Sequence, residues 1–327
     1  MYLFYYILRA ILTAGRYFRE KFNVNVYKVP ISIFGFTCPN IDGSVAKGGC
    51  IFCENESFSP NLEHSKERPK RFFLQPNTSH NPYLDFQLLQ LETQFKKTQN
   101  SLRKKFGAKK FIVYFQSFTN TYAPLETLKA LYTKALGFED VIGLSIGTRT
   151  DSISPDILEY LAELAQTHEI WVEYGVQSSF DTTLQRINRG HDSANIASSI
   201  KLTRRYGLNV CTHMIFGLPQ ETQEMMLESV KFALSLDVQS FKFHPLYVVK
   251  KTALAHDLNK GTFTPITEEA YIDTLVKAVG LLPSHVMIQR VSAGIGDTSL
   301  LAPDWCYDKH RQMYAIRQAF AHQGWLY

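Results

Sequence analysis

Short apolar, β-branched or aromatic runs alternate with amphipathic helical stretches along most of this chain, and no other feature constrains its fold as much. The runs are Ile31–Phe36, Lys110–Phe115, Val141–Ile146, Glu169–Tyr174, Asn209–Phe216 and Ser240–Phe243, each bounded by polar, Gly or Pro punctuation. Helical periodicity occupies the intervals: Leu84–Phe106, Leu125–Leu136, Pro155–Ala165, Asn195–Tyr206, Gln223–Leu236 and Glu268–Leu281. Pro124 and Pro155 stand where helices favour a first-turn proline, and Gly207 is a usual stop signal. Strands alternating with helices demand a parallel sheet with right-handed crossovers. About six such units predict an α/β fold, a (βα)6 partial TIM-type barrel, with a full (βα)8 barrel as the alternative if Val286–Val291 and its neighbours add strands. Ligands then sit at the strands' C-terminal ends, so the residues following each strand matter most. The expected organisation is an N-terminal helical segment over residues 1–30, the barrel over 31–290 and a C-terminal helical cap over 291–327.

With 327 residues, 45% hydrophobic and 20% charged, the chain has the composition of a globular protein with a substantial core. A net charge of +5 admits an anionic substrate or an RNA partner without selecting either. The basic residues cluster once, at Lys96, Lys97, Arg103, Lys104, Lys105, Lys109 and Lys110. This is either a solvated helix end or a nucleic-acid contact. The apolar run Met1–Leu8 stops at Arg9, well short of the ~20 residues of a spanning helix. It reads as an amphipathic helix packed on the domain, with a peripheral membrane helix as the alternative. No transmembrane segment is expected, and a cytoplasmic location is.

Five cysteines make no disulfide framework, but three of them, Cys38, Cys50 and Cys53, fall within sixteen residues. Eleven residues separate the first two and two the last pair, and Gly48 and Gly49 let the backbone fold tightly between them. Soft thiolates at such spacing select zinc or iron–sulfur. An electron-transferring [4Fe–4S] cluster takes four cysteines, so three would leave one iron open. The alternative is a structural zinc with His64 as fourth ligand, in a zinc-stabilised, non-catalytic RNA-binding module. Cys211 and Cys306 stand far from the trio. Cys306 reads as a small buried hydrophobe before it reads as a redox thiol.

The string FTCPNIDGSVAKGGCIFCENESF, ending in Cys-x-aromatic-Cys, resembles the cluster loop of radical S-adenosylmethionine (SAM) enzymes. Its wide first gap departs from the common C-x3-C-x2-C spacing. It is similar instead to the expanded loop of the YhcC-type members and of the elongator catalytic subunit. The resemblance runs from about Arg16 to Trp305. It includes Tyr114–Thr119, Gly143–Asp151, Glu173–Ser178 with Ile187–His191, and Met214–Pro219 in that order.

The resemblance implies a [4Fe–4S] cluster on Cys38, Cys50 and Cys53 with SAM at the open iron. It also implies reductive cleavage to a 5′-deoxyadenosyl radical, an external electron donor of flavodoxin or ferredoxin type, and an unidentified substrate, RNA or a small metabolite. Phe52 is then expected near the adenine. Gln116, Ser117 and Thr119 stand where relatives carry a glycine-rich segment facing the methionine amino group, though glycines and an acid are missing here. Gln177 and Arg189 match a Gln…Arg pair in coproporphyrinogen-oxidase-like enzymes and suit ribose hydroxyls and a carboxylate. Read alone, Arg189 is a surface residue. His213 replaces an aspartate of those oxidases, and the Gly217 turn is expected to line the adenine pocket. Glu173, Arg149, His244, Lys242 and Arg290 are expected to point into the barrel mouth from strand ends, either to contact substrate or as satisfied core polar residues. No second three-cysteine set follows Cys53, so one cluster is the limit.

Overall fold

Seven parallel strands form one curled sheet in sequential order: β1 (Val26–Ile31), β2 (Lys110–Phe115), β3 (Val141–Thr148), β4 (Glu169–Gln177), β5 (Asn209–Phe216), β6 (Ser240–Pro245) and β7 (Met287–Arg290). This computed structural model describes residues 9–54 and 72–327. The inner strands are buried on both faces, as a parallel sheet under helices must be. Helices α1 (Ala14–Phe22), α2 (Leu84–Phe106), α3 (Leu125–Leu136), α4 (Pro155–Ala165), α5 (Ser193–Arg205), α6 (Gln223–Ser235), α7 (Glu268–Leu281) and α8 (Lys309–His322) accompany the sheet. Six of them, α1, α4, α5, α6, α7 and α8, begin on a Thr, Ser or Asp whose side chain accepts from the first-turn backbone.

Curling brings the two edge strands within reach of one side chain. Lys28 on β1 donates to Gln289 on β7 at 2.5 Å and to Ser145 on β3 at 2.9 Å. The sheet is thus a partial barrel, pinned across its interior, with a seventh strand inside the expected Val286–Val291 stretch.

The first strand is displaced from expectation. It runs over Val26–Ile31, within the stretch read as N-terminal helical segment, and Ile31–Phe36 is mostly loop. The loop is apolar because it is buried, and its backbone groups bond to glutamines of α2 in place of a neighbouring strand. Ser32 N donates to Gln94 Oε1 at 2.9 Å, Gln94 Nε2 to the Ser32 carbonyl at 2.8 Å, and Phe34 N to Gln90 Oε1 at 2.8 Å. Strands β3, β4 and β6 extend two to three residues beyond the expected ends. Met1–Leu8 and His64, each given a role above, lie outside the described residues.

The basic stretch lies at the C-terminal end of α2 and the start of β2, the opposite rim from the strands' C-terminal ends. Arg103 and Lys110 pair with Asp140, and Lys96 with Glu92, so part of it is an internally neutralised surface. Among the described residues no helix is long and apolar enough to cross a membrane.

Candidate functional site

The cysteine loop follows β1 and is fastened to the Ile187–Gly190 turn after β4 by two asparagines. Asn40 Nδ2 donates to the carbonyls of Asn188 (2.6 Å) and Arg189 (2.9 Å), while Asn188 Nδ2 donates to those of Lys47 (3.0 Å) and Gly49 (2.7 Å). Ile51 N adds a bond to the Ile187 carbonyl at 3.1 Å. Sequence reasoning passed over both asparagines. Both lie inside the motif strings, which gave no sign of a clasp because the partners are backbone carbonyls.

The clasp brings Cys38, Cys50 and Cys53 to the rim of a cavity of about 870 Å3 at the C-terminal ends of the strands. Arg149 Nη1 lies 3.7 Å from Cys38 Sγ, and Arg189 Nη1 and Asn40 Nδ2 each lie 3.7 Å from Cys50 Sγ. Burial, and then the other two cysteines, push the Cys53 thiol well above its ordinary range. Donors aimed at sulfur and thiols crowded together are what a metal-bound thiolate set needs.

Of the expected cofactor contacts, Phe52, Gln116, Thr119, Glu173, Gln177, Arg189 and His213 line this cavity. Gln177 sits beyond a register irregularity at the end of β4 with φ +68°, a left-handed conformation rarely adopted by a glutamine, and its Oε1 is buried without a hydrogen-bond partner. Arg189 is buried, not a surface residue. Nη2 donates to the Gly175 carbonyl at 2.5 Å, and Nε is without a partner.

Two expected contacts do not line the cavity. Ser117 is buried with its hydroxyl bonded to Ser32. Gly217 has φ +90° and packs on Ile266, whose side chain would lie 2.7 Å from an added Cβ, so glycine is needed there for close packing.

Glu173 lines the cavity, but its carboxylate is already engaged. It accepts from Lys28, Lys242 and Ser145 and lies 2.7 Å from His213 Nε2. Burial opposes its charge, but Lys242 and Lys28 outweigh it and hold the carboxyl well below the usual range. Burial lowers Lys28 to about 8 against the pull of Glu173. Burial and Lys242 lower His213 to about 4, and burial and Arg290 take His244 well below its ordinary value, so both imidazoles are neutral near pH 7. Glu173, Cys211 and His213 lie close enough to share a metal ion, yet the two lysines occupy the carboxylate oxygens such an ion would need. Arg149, His244 and Arg290 line the cavity as expected, whereas Lys242 lies buried beside it. Lys28 was missed because the first strand was placed five residues too late.

Residues 43–233 match the family model of the Radical SAM superfamily, and residues 238–322 that of the Radical_SAM C-terminal domain. The chain belongs to the radical SAM superfamily. It is 33% identical over 315 residues to protein YtqA of Bacillus subtilis, covering 95% of this chain and 90% of YtqA. To protein YhcC of Escherichia coli it is 32% identical over 306 residues, covering 93% of this chain and 90% of YhcC. The YhcC-type likeness is therefore nearly full-length. Among solved structures, archaeal Elp3 of Methanocaldococcus infernus superposes with a TM-score of 0.58 at 17% identity, over 91% of this chain and 63% of that one. At that identity it supports the fold alone.

This radical SAM protein is an enzyme, and its cofactors are a [4Fe–4S] cluster and SAM. The residues present fit both groups: three clustered thiols flanked by cationic donors, and beside them a cavity into which Gln177 and Arg189 present buried, unsatisfied polar atoms. The zinc-module alternative is not favoured.

Proposed function

We propose that the chain cleaves SAM reductively and directs the resulting radical at a substrate held in the same cavity. The observation that carries this reading is the shared chamber. The cysteines, Gln177 and Arg189 line one part of it, and Tyr114, His213, His244 and Arg290 another.

Cys38, Cys50 and Cys53 are the proposed cluster ligands, three in number so that one iron stays open to SAM. When bound, the two cofactors supply a 5′-deoxyadenosyl radical by one-electron cleavage of the sulfonium carbon–sulfur bond. Arg189 and Gln177 hold the polar ends of SAM, the guanidinium by charge-assisted bonds to a carboxylate and the amide by bonds to hydroxyls. Phe52 offers an aromatic face for the adenine, and Gln116 and Thr119 offer polar groups to the methionine end. The tightly bonded Lys28–Glu173–Lys242 set at the cavity wall fixes the strand ends that carry these groups. The electron comes from an external donor of flavodoxin or ferredoxin type, in the cytoplasm.

RNA as substrate draws support from relatives of part of the chain. It is 28% identical over 163 residues, 49% of its length, to a tRNA uridine(34) acetyltransferase of Methanocaldococcus infernus, of which that stretch is 30%. The basic stretch adds nothing to this, lying at the opposite rim from the cavity.

The test is anaerobic reconstitution with iron and sulfide, followed by SAM and a strong reductant. Release of 5′-deoxyadenosine and methionine is expected. S-adenosylhomocysteine as the only nucleoside product would refute the reading. Comparing modified nucleosides and metabolites with and without the protein then separates RNA from small substrates.

A further inference from the structure

We infer that Arg290 and Lys309 form an oxyanion subsite in the part of the cavity away from the cysteines, so that the substrate carries a carboxylate or phosphate there. The inference rests on the reading of this cavity as the SAM and substrate chamber.

Arg290 ends β7, and Lys309 is the first residue of α8; both line the cavity with His244, Ser292 and Gly294. Neither cation has an ion pair or side-chain hydrogen bond among the described residues. The other cavity-lining arginines are committed: Arg149 to Asp151, and Arg189 to the Gly175 carbonyl and Cys50. The nearby carboxylates are committed too. Glu173 is held by two lysines, and Asp297 accepts from Ser299 N at 2.7 Å. His244 Nε2 is buried there without a partner. Both side chains keep substantial solvent exposure at the cavity mouth, and they stand close enough that partial burial, then the nearness of Arg290, lowers Lys309 below the usual lysine range, so the two cations repel each other. A bound oxyanion would relieve that repulsion, accept the fork of guanidinium N–H groups and complete the lining.

The location adds direction. Arg290 is paired in register with Lys242 of β6, which in turn is paired with His213 of β5, so the subsite lies across the sheet from β4 and Gln177. An anionic group anchored at Arg290 leaves the rest of the substrate extending back toward the cofactor side of the same chamber.

The experiment uses the reconstituted, cluster-loaded protein with SAM present. Inorganic phosphate, glutarate and its uncharged analogue glutaramide are titrated calorimetrically. Wild type is compared with Arg290→Gln, Lys309→Gln and, as a control, Lys104→Gln on the far rim. At least one anion is expected to bind more tightly than glutaramide. Arg290→Gln and Lys309→Gln should each weaken that anion by about tenfold or more, the loss of one charge-assisted contact, and Lys104→Gln should not. Preference for glutarate identifies a carboxylate substrate, and preference for phosphate a phosphorylated or nucleotide one. Anions no tighter than glutaramide, or binding unchanged in both cavity variants, would overturn the inference. Separate titration of SAM distinguishes the two readings: wild type that binds the anion through Arg290 but does not bind SAM would refute the cofactor reading and leave the oxyanion site standing.

Discussion

Arg189 joins the cysteine loop to the sheet, with Nη1 3.7 Å from Cys50 Sγ and Nη2 donating to the Gly175 carbonyl at 2.5 Å. Gly175 permits this approach, since an added Cβ there would lie 2.8 Å from Nη2. No carboxylate pairs with this buried guanidinium among the described residues, and its Nη1 faces Cys50 of the cysteine loop. Its removal is therefore expected to act on the cysteine loop as well as on the proposed SAM contact. Arg189→Ala is expected to lower iron per chain after reconstitution and to weaken SAM binding by about tenfold, as loss of a charge-assisted contact of ~1.5–3 kcal/mol implies. Iron content and calorimetric SAM affinity both equal to wild type would show that the arginine serves neither.

Alanine at Cys38, Cys50 or Cys53 should abolish the iron–sulfur absorbance and the low-temperature signal of the reduced cluster. Alanine at Cys211, whose thiol burial pushes up to about 12, or at buried Cys306, should leave both intact. A fully occupied cluster in Cys50→Ala would break the ligand assignment.

How far the sequence carries depends on where each residue's partners lie. Lys110–Phe115 and Asn209–Phe216 are strands with the expected bounds, both inner strands buried over most of their length. Val26–Ile31 hides its strand character behind Lys28 and Pro30. A proline is tolerated there because β1 is an edge, paired only with β2. Lys28 is equally misleading, since a strand lysine suggests solvent, whereas this one crosses the barrel to Glu173. The Cys38, Cys50 and Cys53 trio stands out in the sequence because its members are close together along the chain. The Asn40–Asn188 clasp and the Lys28–Glu173–Lys242 set were not, because their partners are far apart in sequence and meet only through the sheet's curl.

Glu173 is the charge that makes buried Lys242 and half-buried Lys28 tolerable side by side. Glu173→Gln leaves Lys28 and Lys242 facing each other, and breaking such a buried set costs about 3–5 kcal/mol. Denaturant midpoints at pH 7.5 should register that loss. Lys28 gives the effect a pH dependence. Its folded value of about 8 lies below its unfolded value of about 10.4, so its charged form is penalised on folding. That penalty is fully present below pH 8 and is relieved as pH rises toward the unfolded value. Wild type should therefore gain stability relative to Lys28→Met between pH 7.5 and 9.5. A difference that stays constant over this range would mean that Lys28 does not titrate there.

The clasp itself is tested at Gly190. Its φ is +80°, and an added Cβ would lie 2.4 Å from Asn40 Oδ1, 2.8 Å from Val45 Cγ1 and 3.3 Å from Arg149 Nη2. Alanine there imposes a left-handed conformation on a residue with a side chain, at about 1–2 kcal/mol. It also pushes Asn40 off the Asn188 and Arg189 carbonyls, leaving buried groups unpaired at about 1–3 kcal/mol each. Gly207 separates the two effects, having φ +73° but nothing within 4 Å of an added Cβ. Gly207→Ala is thus expected to carry the backbone strain alone and to retain its iron. Gly190→Ala should be less stable by several kcal/mol and should bind little cluster, because Cys38 and Cys50 flank the displaced asparagine. The measurements are iron per chain after reconstitution and denaturant midpoint, on both variants. Equal iron content in the two would mean that the cysteine loop holds its cluster without the clasp.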